Sequence, residues 1–358
     1  MGRRAEKRAG PRVAILAEGL FAPATAKTAI GAIRYASYPV VAVVDSSRSG
    51  RDAASCVGVG EGIPVVPNVA GALAAGAEVL LIGTASAGGR IPDGYRVPLA
   101  EALGAGLAVW SGLHDRILSD PQLALAARRG GARVRELREP PTNLEVGGRR
   151  HRRTASRVAL TVGSDAAVGK MTASLELHAA LERAGARSAF AATGQTGIAI
   201  SGSGICVDAV VADFIAGAAE RLVCDASETA DWVVVEGQGS LTHPGFSGVT
   251  LGLLHGSAPD VLILCHDAAR RVVKGHAAIP LRPLTDLIRI YEDAALWSRP
   301  AGSARVPVVA VALNTSALAA ADARAAVAAA AEDTGLPAAD PVRDDGGADR
   351  LAAAVLPA

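Results

Sequence analysis

Two three-layer α/β domains in one chain are what the sequence predicts, on three observations. Short apolar runs alternate with helical stretches in both halves, the pattern of parallel sheets covered on both faces. With 358 residues, the chain is long for one ordinary domain and ample for two. Between the halves, "EPPTNLEVGGRRHRRTAS" at 139–156 breaks the rhythm with two prolines, two glycines and five consecutive cationic or His residues. The predicted layout is a first domain over 12–140, a basic linker over 141–156 and a second domain over 157–345. The cluster from Arg149 to Arg153 reads as a solvated linker, with contact to phosphates as the alternative.

In the first half, "RVAILAE" (12–18) reads as a strand and "TAKTAIGAIRYA" (25–36) as a helix. "PVVAVVD" (39–45) is a second strand, ending in Asp45, and "EVLLIG" (78–83) and "GLAVWSG" (106–112) are two more. The second half runs as strand "RVALTV" (157–162), loop, helix 170–184 and strand "RSAFAA" (187–192). A polar loop and a helix "VDAVVADFIAGAAERLV" (207–223) come next, then strands "DWVVVE" (231–236), "DVLILC" (260–265) and "VPVVAVAL" (306–313). An Ala-rich helix at 317–333 precedes a C-terminal tail.

Composition narrows the function classes. Half the residues are apolar and 20% are charged, so a buried core is expected. With 36 basic against 35 acidic residues, charge gives no reason to propose a nucleic-acid partner. Cys56, Cys206, Cys224 and Cys265 lie far apart with no C-x-x-C spacing, which speaks against zinc and disulfide frameworks and fits a reducing cytoplasm. Glu18 interrupts the first apolar run after five residues, too short for a secretory h-region, so a basic tail leading into a strand is expected. No apolar run approaches a membrane-spanning length. A cytoplasmic protein with a small-molecule substrate is expected, and Gly- and Ala-rich surfaces allow a homo-oligomer.

The chemistry concentrates at "GSDAAVGKMT" (163–172), directly after an apolar strand. A strand, a Gly-containing loop and a helix opening with Gly-Lys form an anion cradle of backbone N–H groups, a positive helix end and a full charge on Lys170. The bland alternative is a Gly-rich connection with an exposed Lys. Five residues separate Gly163 from Gly169 where the usual pattern has four, and Met171 stands where a Ser or Thr follows the Lys. The longer gap resembles the G-T-D-x-x-V-G-K-T loop of dethiobiotin synthetases. Thr172 comes one position later, turned by about 100° around the helix, out of the ordinary reach of a Mg²⁺. The cofactor-binding set is therefore Gly163, Ser164, Asp165, Val168, Gly169, Lys170, Met171 and Thr172, with no metal ligand assigned.

Glu236, in "VVVEGQGSLTHPGFSG" (233–248), closes a buried strand at the carboxyl edge of a sheet, where ligands of open α/β sheets collect. It is a candidate base or metal ligand, with turn stabilisation as the alternative. His243 is a candidate second acid/base, against a structural role before Pro244. Gln195, in "FAATGQTGIAISGSGICVDAVVADF" (190–214), is a candidate polar site residue. His266 follows a strand and is a candidate for the same cleft. Arg270, Arg271 and Lys274 read either as anion ligands or as a solvated helix face.

Taken together, "GSDAAVGKMT", "TGQTGIAISG…VDAVVADF" and "VEGQGSLTHPG" resemble one family, as do "AKTAIGAIRY", "VVAVVDS", "SGLHD", "ALNTSAL" and "LPAADPVR". This is the domain of unknown function 1611 family, whose described members are D-glutamate N-acetyltransferases. The resemblance covers nearly the whole chain. It implies a Rossmann-like first domain, a P-loop NTPase-like second domain, acetyl-CoA as acyl donor, and D-glutamate or a similar amino acid as acceptor in D-amino-acid catabolism. The loop would hold a pyrophosphate or 3′-phosphate of CoA, and Ser164 replaces the Thr of many relatives. Glu236, with His243, would take the ammonium proton, and Gln195 or glycine amides would meet the oxyanion. The alternatives are a Mg-ATP-dependent ligase or kinase of dethiobiotin-synthetase type, and a CoA- or nucleotide-sensing binding protein.

Overall fold

The computed structural model describes residues 10–84, 89–149 and 155–356. The start of the basic tail and residues 150–153 of the basic cluster lie outside them; Arg149 Nη1 donates to the Ser298 carbonyl at 2.9 Å. Among the described residues no helix is long and apolar enough to cross a membrane. The chain divides into two units. The first runs to Glu139 and also takes Gln195–Ser203; the second holds Pro140–Gly194 and the chain from Gly204 on.

The first unit runs β1 (Val13–Leu16), α1 (Lys27–Tyr35), β2 (Val40–Val44), α2 (Ala53–Val57), β3 (Val65–Val66), α3 (Val69–Ala74), β4 (Val79–Ile82), α4 (Arg96–Gly104), β5 (Ala108–Ser111), α5 (Pro121–Gly130) and β6 (Val134–Glu136). Its parallel sheet has the order β3-β2-β1-β4-β5-β6, the doubly wound Rossmann-like arrangement. Every residue of β1 is buried, which is why it reads as an unbroken apolar run instead of an alternating one. Asp45, at the end of β2, accepts hydrogen bonds from the N–H groups of Gly19, Phe21 and Ser47 at 3.2, 3.2 and 3.0 Å. Its carboxylate thereby ties down the loop that follows β1.

The second unit runs β7 (Arg157–Gly163), α6 (Lys170–Arg183), β8 (Ser188–Ala191), then, after α7 (Gln195–Ser201), which belongs to the first unit, α8 (Ile215–Ser227), β9 (Trp232–Val235), α9 (Ser247–Ser257) and β10 (Val261–Asp267). It continues with β11 (Val272–Val273), β12 (His276–Pro280), α10 (Leu284–Ala294), β13 (Val308–Asn314), α11 (Ala320–Thr334), β14 (Ala338–Ala339) and α12 (Gly347–Val355). Six parallel strands form the order β14-β13-β10-β7-β9-β8, and β11 pairs with β12 as a separate antiparallel hairpin. Central β7 carries the phosphate-type loop at its carboxyl end. Both sheets are those of the predicted α/β class.

Three expectations are corrected. The helix read over 207–223 begins only at Ile215; before it lie two single 3₁₀ turns, Val207–Ala209 and Ala212–Phe214. Val210 and Val211, at ψ 138° and 137°, separate them, as β-branched neighbours resist helix. The tail after 333 contains α12, whose Leu351, Ala352 and Val355 are buried in the core of the second unit. The polar loop read around 195 is the helix α7, and it docks in the first unit. Its Ile198, Ala199 and Ile200 are buried, and it packs against α1. Thr196 Oγ1 lies 2.9 Å from Thr28 Oγ1, and Tyr38 Oη donates to the Ala199 carbonyl at 2.8 Å.

Candidate functional site

β7 delivers the chain into a tight cradle. An added Cβ on Gly163 would sit 2.8 Å from Lys170 Nζ and 2.9 Å from the Asp165 carbonyl, so only glycine fits where strand turns to loop. Gly169 at φ 106° turns the loop into α6, and Ala167 holds φ 55°, a conformation rare outside glycine. Lys170 is buried, and its Nζ donates to the Asp165 carbonyl at 2.9 Å. Among the described residues, the N–H groups of Ala167, Val168, Gly169, Met171 and Thr172 have no protein acceptor. That ring of donors around a buried ammonium is what a phosphate requires.

The loop is held from outside by groups far along the chain. Asp165 accepts from the Lys274 N–H at 2.7 Å, from the Ala166 N–H at 2.7 Å and from Arg270 Nη1 at 3.0 Å. Burial alone would raise this carboxyl; the two N–H donors and the guanidinium outweigh it and hold it below the usual carboxylate range. Arg270 also donates to the Ala166 carbonyl at 2.6 Å and pairs with Asp267 at 3.2 Å. Tyr291, buried in α10, donates from Oη to the Gly163 carbonyl at 2.7 Å and accepts from the Leu241 N–H at 3.1 Å. Ser164 Oγ lies 2.9 Å from His266 Nδ1. Burial lowers the His266 pKa; Asp267 pulls the other way, and Arg271 and then Arg270 add to the lowering, which favours the neutral ring at pH 7. Burial pushes the Cys265 thiol up to about 12 despite the nearby Lys170, which rules it out as a nucleophile at neutral pH.

Beside the cradle, Glu236 directly follows β9 and is buried. Its Oε2 accepts from the N–H groups of Thr193 and Gly194 at 3.0 and 3.2 Å, and Thr193 Oγ1 donates back to the Glu236 carbonyl at 2.6 Å. The Gly237 N–H donates to Thr161 Oγ1 at 2.9 Å.

This architecture matches a family in both halves of the chain. Residues 46–140 match the DUF1611_N Rossmann-like domain and residues 145–352 the DUF1611_C P-loop domain, both described as domains of unknown function. The chain belongs to the DUF1611 family. A curated D-glutamate N-acetyltransferase from a Pseudoalteromonas species is 39% identical to it over 280 residues, 78% of this chain and 81% of that one. Another, from Tritonibacter scottomollicae, is 39% identical over 284 residues, 79% and 83% of the two chains. A crystal structure of a DUF1611 family protein from Anabaena variabilis ATCC 29413 superposes with a TM-score of 0.90 at 41% identity, covering 97% of this chain and 99% of that one.

In this DUF1611 chain the loop residues expected to bind phosphate divide by role. Lys170 lies buried among N–H groups that have no protein acceptor among the described residues, while the Asp165 carboxylate braces the loop. Met171 is buried at 5% exposure, in the place of the hydroxyl that ordinarily serves a metal. The Thr172 hydroxyl has no protein partner among the described residues. His243 makes bonds through both ring nitrogens. Its Nδ1 accepts from the Gly245 N–H at 3.0 Å, which puts the proton on Nε2, and that N–H donates to the Lys274 carbonyl at 3.1 Å. Both nitrogens are engaged and the ring stacks on Phe246, the geometry of the structural alternative weighed for His243. Gln195 opens α7 in the first unit, where its stem packs on Gly112. Arg270 and Lys274 lie in a turn and a hairpin, not on the helix face weighed from sequence. Tyr291, Thr161 and the loop-bracing role of Arg270 carry no local motif and went unread.

Proposed function

We propose that this protein is an N-acetyltransferase that moves the acetyl group of acetyl-CoA onto the amino group of D-glutamate or a similar amino acid. One observation carries the reading. The loop offers Lys170 and five open N–H groups to a phosphate, while buried Met171 fills the position from which a hydroxyl would hold a metal. Such a site suits an anion gripped without phosphoryl transfer, as CoA requires. The names of the two curated relatives support the same chemistry.

In the reaction, the amino nitrogen attacks the thioester carbonyl carbon, the C–S bond breaks, and CoA leaves as the thiol after taking up a proton. The attacking amine must first lose its ammonium proton. Glu236 is the residue of this unit suited to receive it, since two N–H donors hold one oxygen in place at the sheet edge where the cradle opens. His243, with both nitrogens engaged, has no part in that step.

The dethiobiotin-synthetase-like loop length favours a second reading, an ATP-dependent ligase or kinase in which Glu236 and Thr172 serve Mg²⁺. One assay separates the two. Protein, acetyl-CoA and a panel of D- and L-amino acids are mixed and free thiol is followed, with ADP release from MgATP followed in parallel. Thiol release that depends on D-glutamate and disappears in Lys170→Ala is the expected result. ADP without thiol would overturn it in favour of the ligase, and silence in both would leave a binding protein.

A further inference from the structure

A cavity of about 670 Å³ opens beside the phosphate-type loop within the second unit. Its lining joins apolar residues, Leu284, Leu313 and Ala330 among them, with the polar His266, Arg271 and Arg282. The volume lies within the ~300–1,000 Å³ of small-molecule sites. Loop and cavity share a partition. Arg270 lines the cavity while donating to the Ala166 carbonyl at 2.6 Å, and His266 lines it while its Nδ1 meets Ser164 Oγ at 2.9 Å. A ligand with one phosphate in the cradle therefore has this cavity one side chain away.

The cavity's charge is largely uncommitted. Arg282 has no hydrogen bond or ion pair among the described residues. Arg271 donates only to the backbone carbonyls of Ala268 and Arg270, at 2.7 and 3.2 Å, and has no carboxylate partner. Arg270, by contrast, is neutralised by Asp165 and Asp267. Asp333 on α11 is the one acid in the lining, and it stands exposed. The field is felt locally, since Arg271 and Arg270 deepen the depression that burial imposes on His266. His266 Nε2 has no partner among the described residues, so the neutral ring adds a hydrogen-bonding group.

A lining that combines apolar side chains with two guanidiniums free of carboxylate partners fits a flat heterocycle carrying a dianion, which arginine recognises in fork geometry. We propose that this cavity receives the 3′-phosphoadenosine end of CoA, with the 3′-phosphate on Arg271 and Arg282 and the pyrophosphate in the adjoining loop. The inference rests on the reading of the loop as a CoA grip. It adds a reason for choosing CoA over ATP, because ATP with its triphosphate in the loop has no ribose phosphate for these arginines.

The test is calorimetric titration of the full chain with CoA, 3′-dephospho-CoA and ATP. CoA is expected to bind about 30-fold more tightly than dephospho-CoA, the size of charge-assisted contacts to one phosphate. In the Arg271→Ala/Arg282→Ala variant that ratio is expected to fall below about threefold, by loss of CoA affinity alone. Both side chains are exposed, so the variant's melting temperature should match the parent's. CoA binding that is lost in Lys170→Ala but never discriminates against dephospho-CoA would overturn the cavity assignment and leave the acetyltransferase reading standing. Lys170-dependent binding of ATP with none of CoA would overturn both.

Discussion

Arg270 and Asp165 stand 105 residues apart in the chain and meet at 3.0 Å, with Asp165 fully buried. The pair, with the Lys274 N–H, clamps the outside of the phosphate-type loop. Removing the carboxylate leaves a half-buried guanidinium and two N–H groups without their acceptor. Asp165→Ala is expected to lower stability by about 3 kcal/mol, read as a shift in the urea midpoint. An unchanged midpoint would mean that the pair is incidental.

The same carboxyl sets an acid limit. Its pKa in the folded chain lies below that of the unfolded chain, so its contribution is complete above the unfolded value of about 4. It drains away as pH falls through the folded value. Loop stability, followed by thermal melting, should therefore stay level in this respect from pH 8 to 5 and drop below about pH 4. In Asp165→Asn that acid-side drop should be smaller.

Glu236→Gln keeps an oxygen for the Thr193 and Gly194 N–H groups but cannot take a proton. We expect kcat to fall by about 100-fold or more while KM for acetyl-CoA and the melting temperature stay near the parent values. A fall in stability of the same size as in Glu236→Ala would assign the residue to the turn alone.

His243→Asn tests the opposite role. Loss of the ring removes the bond to Lys274 and the stack on Phe246, so a drop of about 1–3 kcal/mol in stability is expected. The pH dependence of kcat/KM should keep its shape. A lost acid limb would restore His243 to the chemistry.

Cys265 should resist alkylation in the native chain at pH 8, because its buried thiol is pushed up to about 12. Cys56 and Cys224, both partly exposed, should be labelled first, as peptide mass spectrometry would record. Rapid labelling of Cys265 would indicate an opening of the sheet around β10.

The strands were legible because parallel, doubly covered strands such as "RVALTV" and "DVLILC" are continuous apolar runs. The cradle was legible because strand, glycine, Gly-Lys and helix follow one another within a few residues. α9 escaped reading, since "SGVTLGLLHGS" is glycine-rich and apolar on all sides, without a helical stripe. What braces the cradle was invisible for another reason. Tyr291 reaches Gly163 across 128 residues and Arg270 reaches Asp165 across 105, and no local pattern records such pairings. For His243 the sequence left base and strut open, because the bonds to Gly245 and Lys274 that bear on the choice are set by the fold.

Gln195–Ser203 belongs to the first unit although it lies beyond β7, α6 and β8. On the ribosome the first unit therefore waits for its last piece. When residue 139 has emerged, α1 still lacks the helix that packs on it, and Tyr38 lacks the Ala199 carbonyl. The central strand of the second unit and its loop are translated before the first can close, so the two halves cannot mature strictly one after the other. A chain stopped near residue 140 should emerge as an incomplete domain seeking that missing helix.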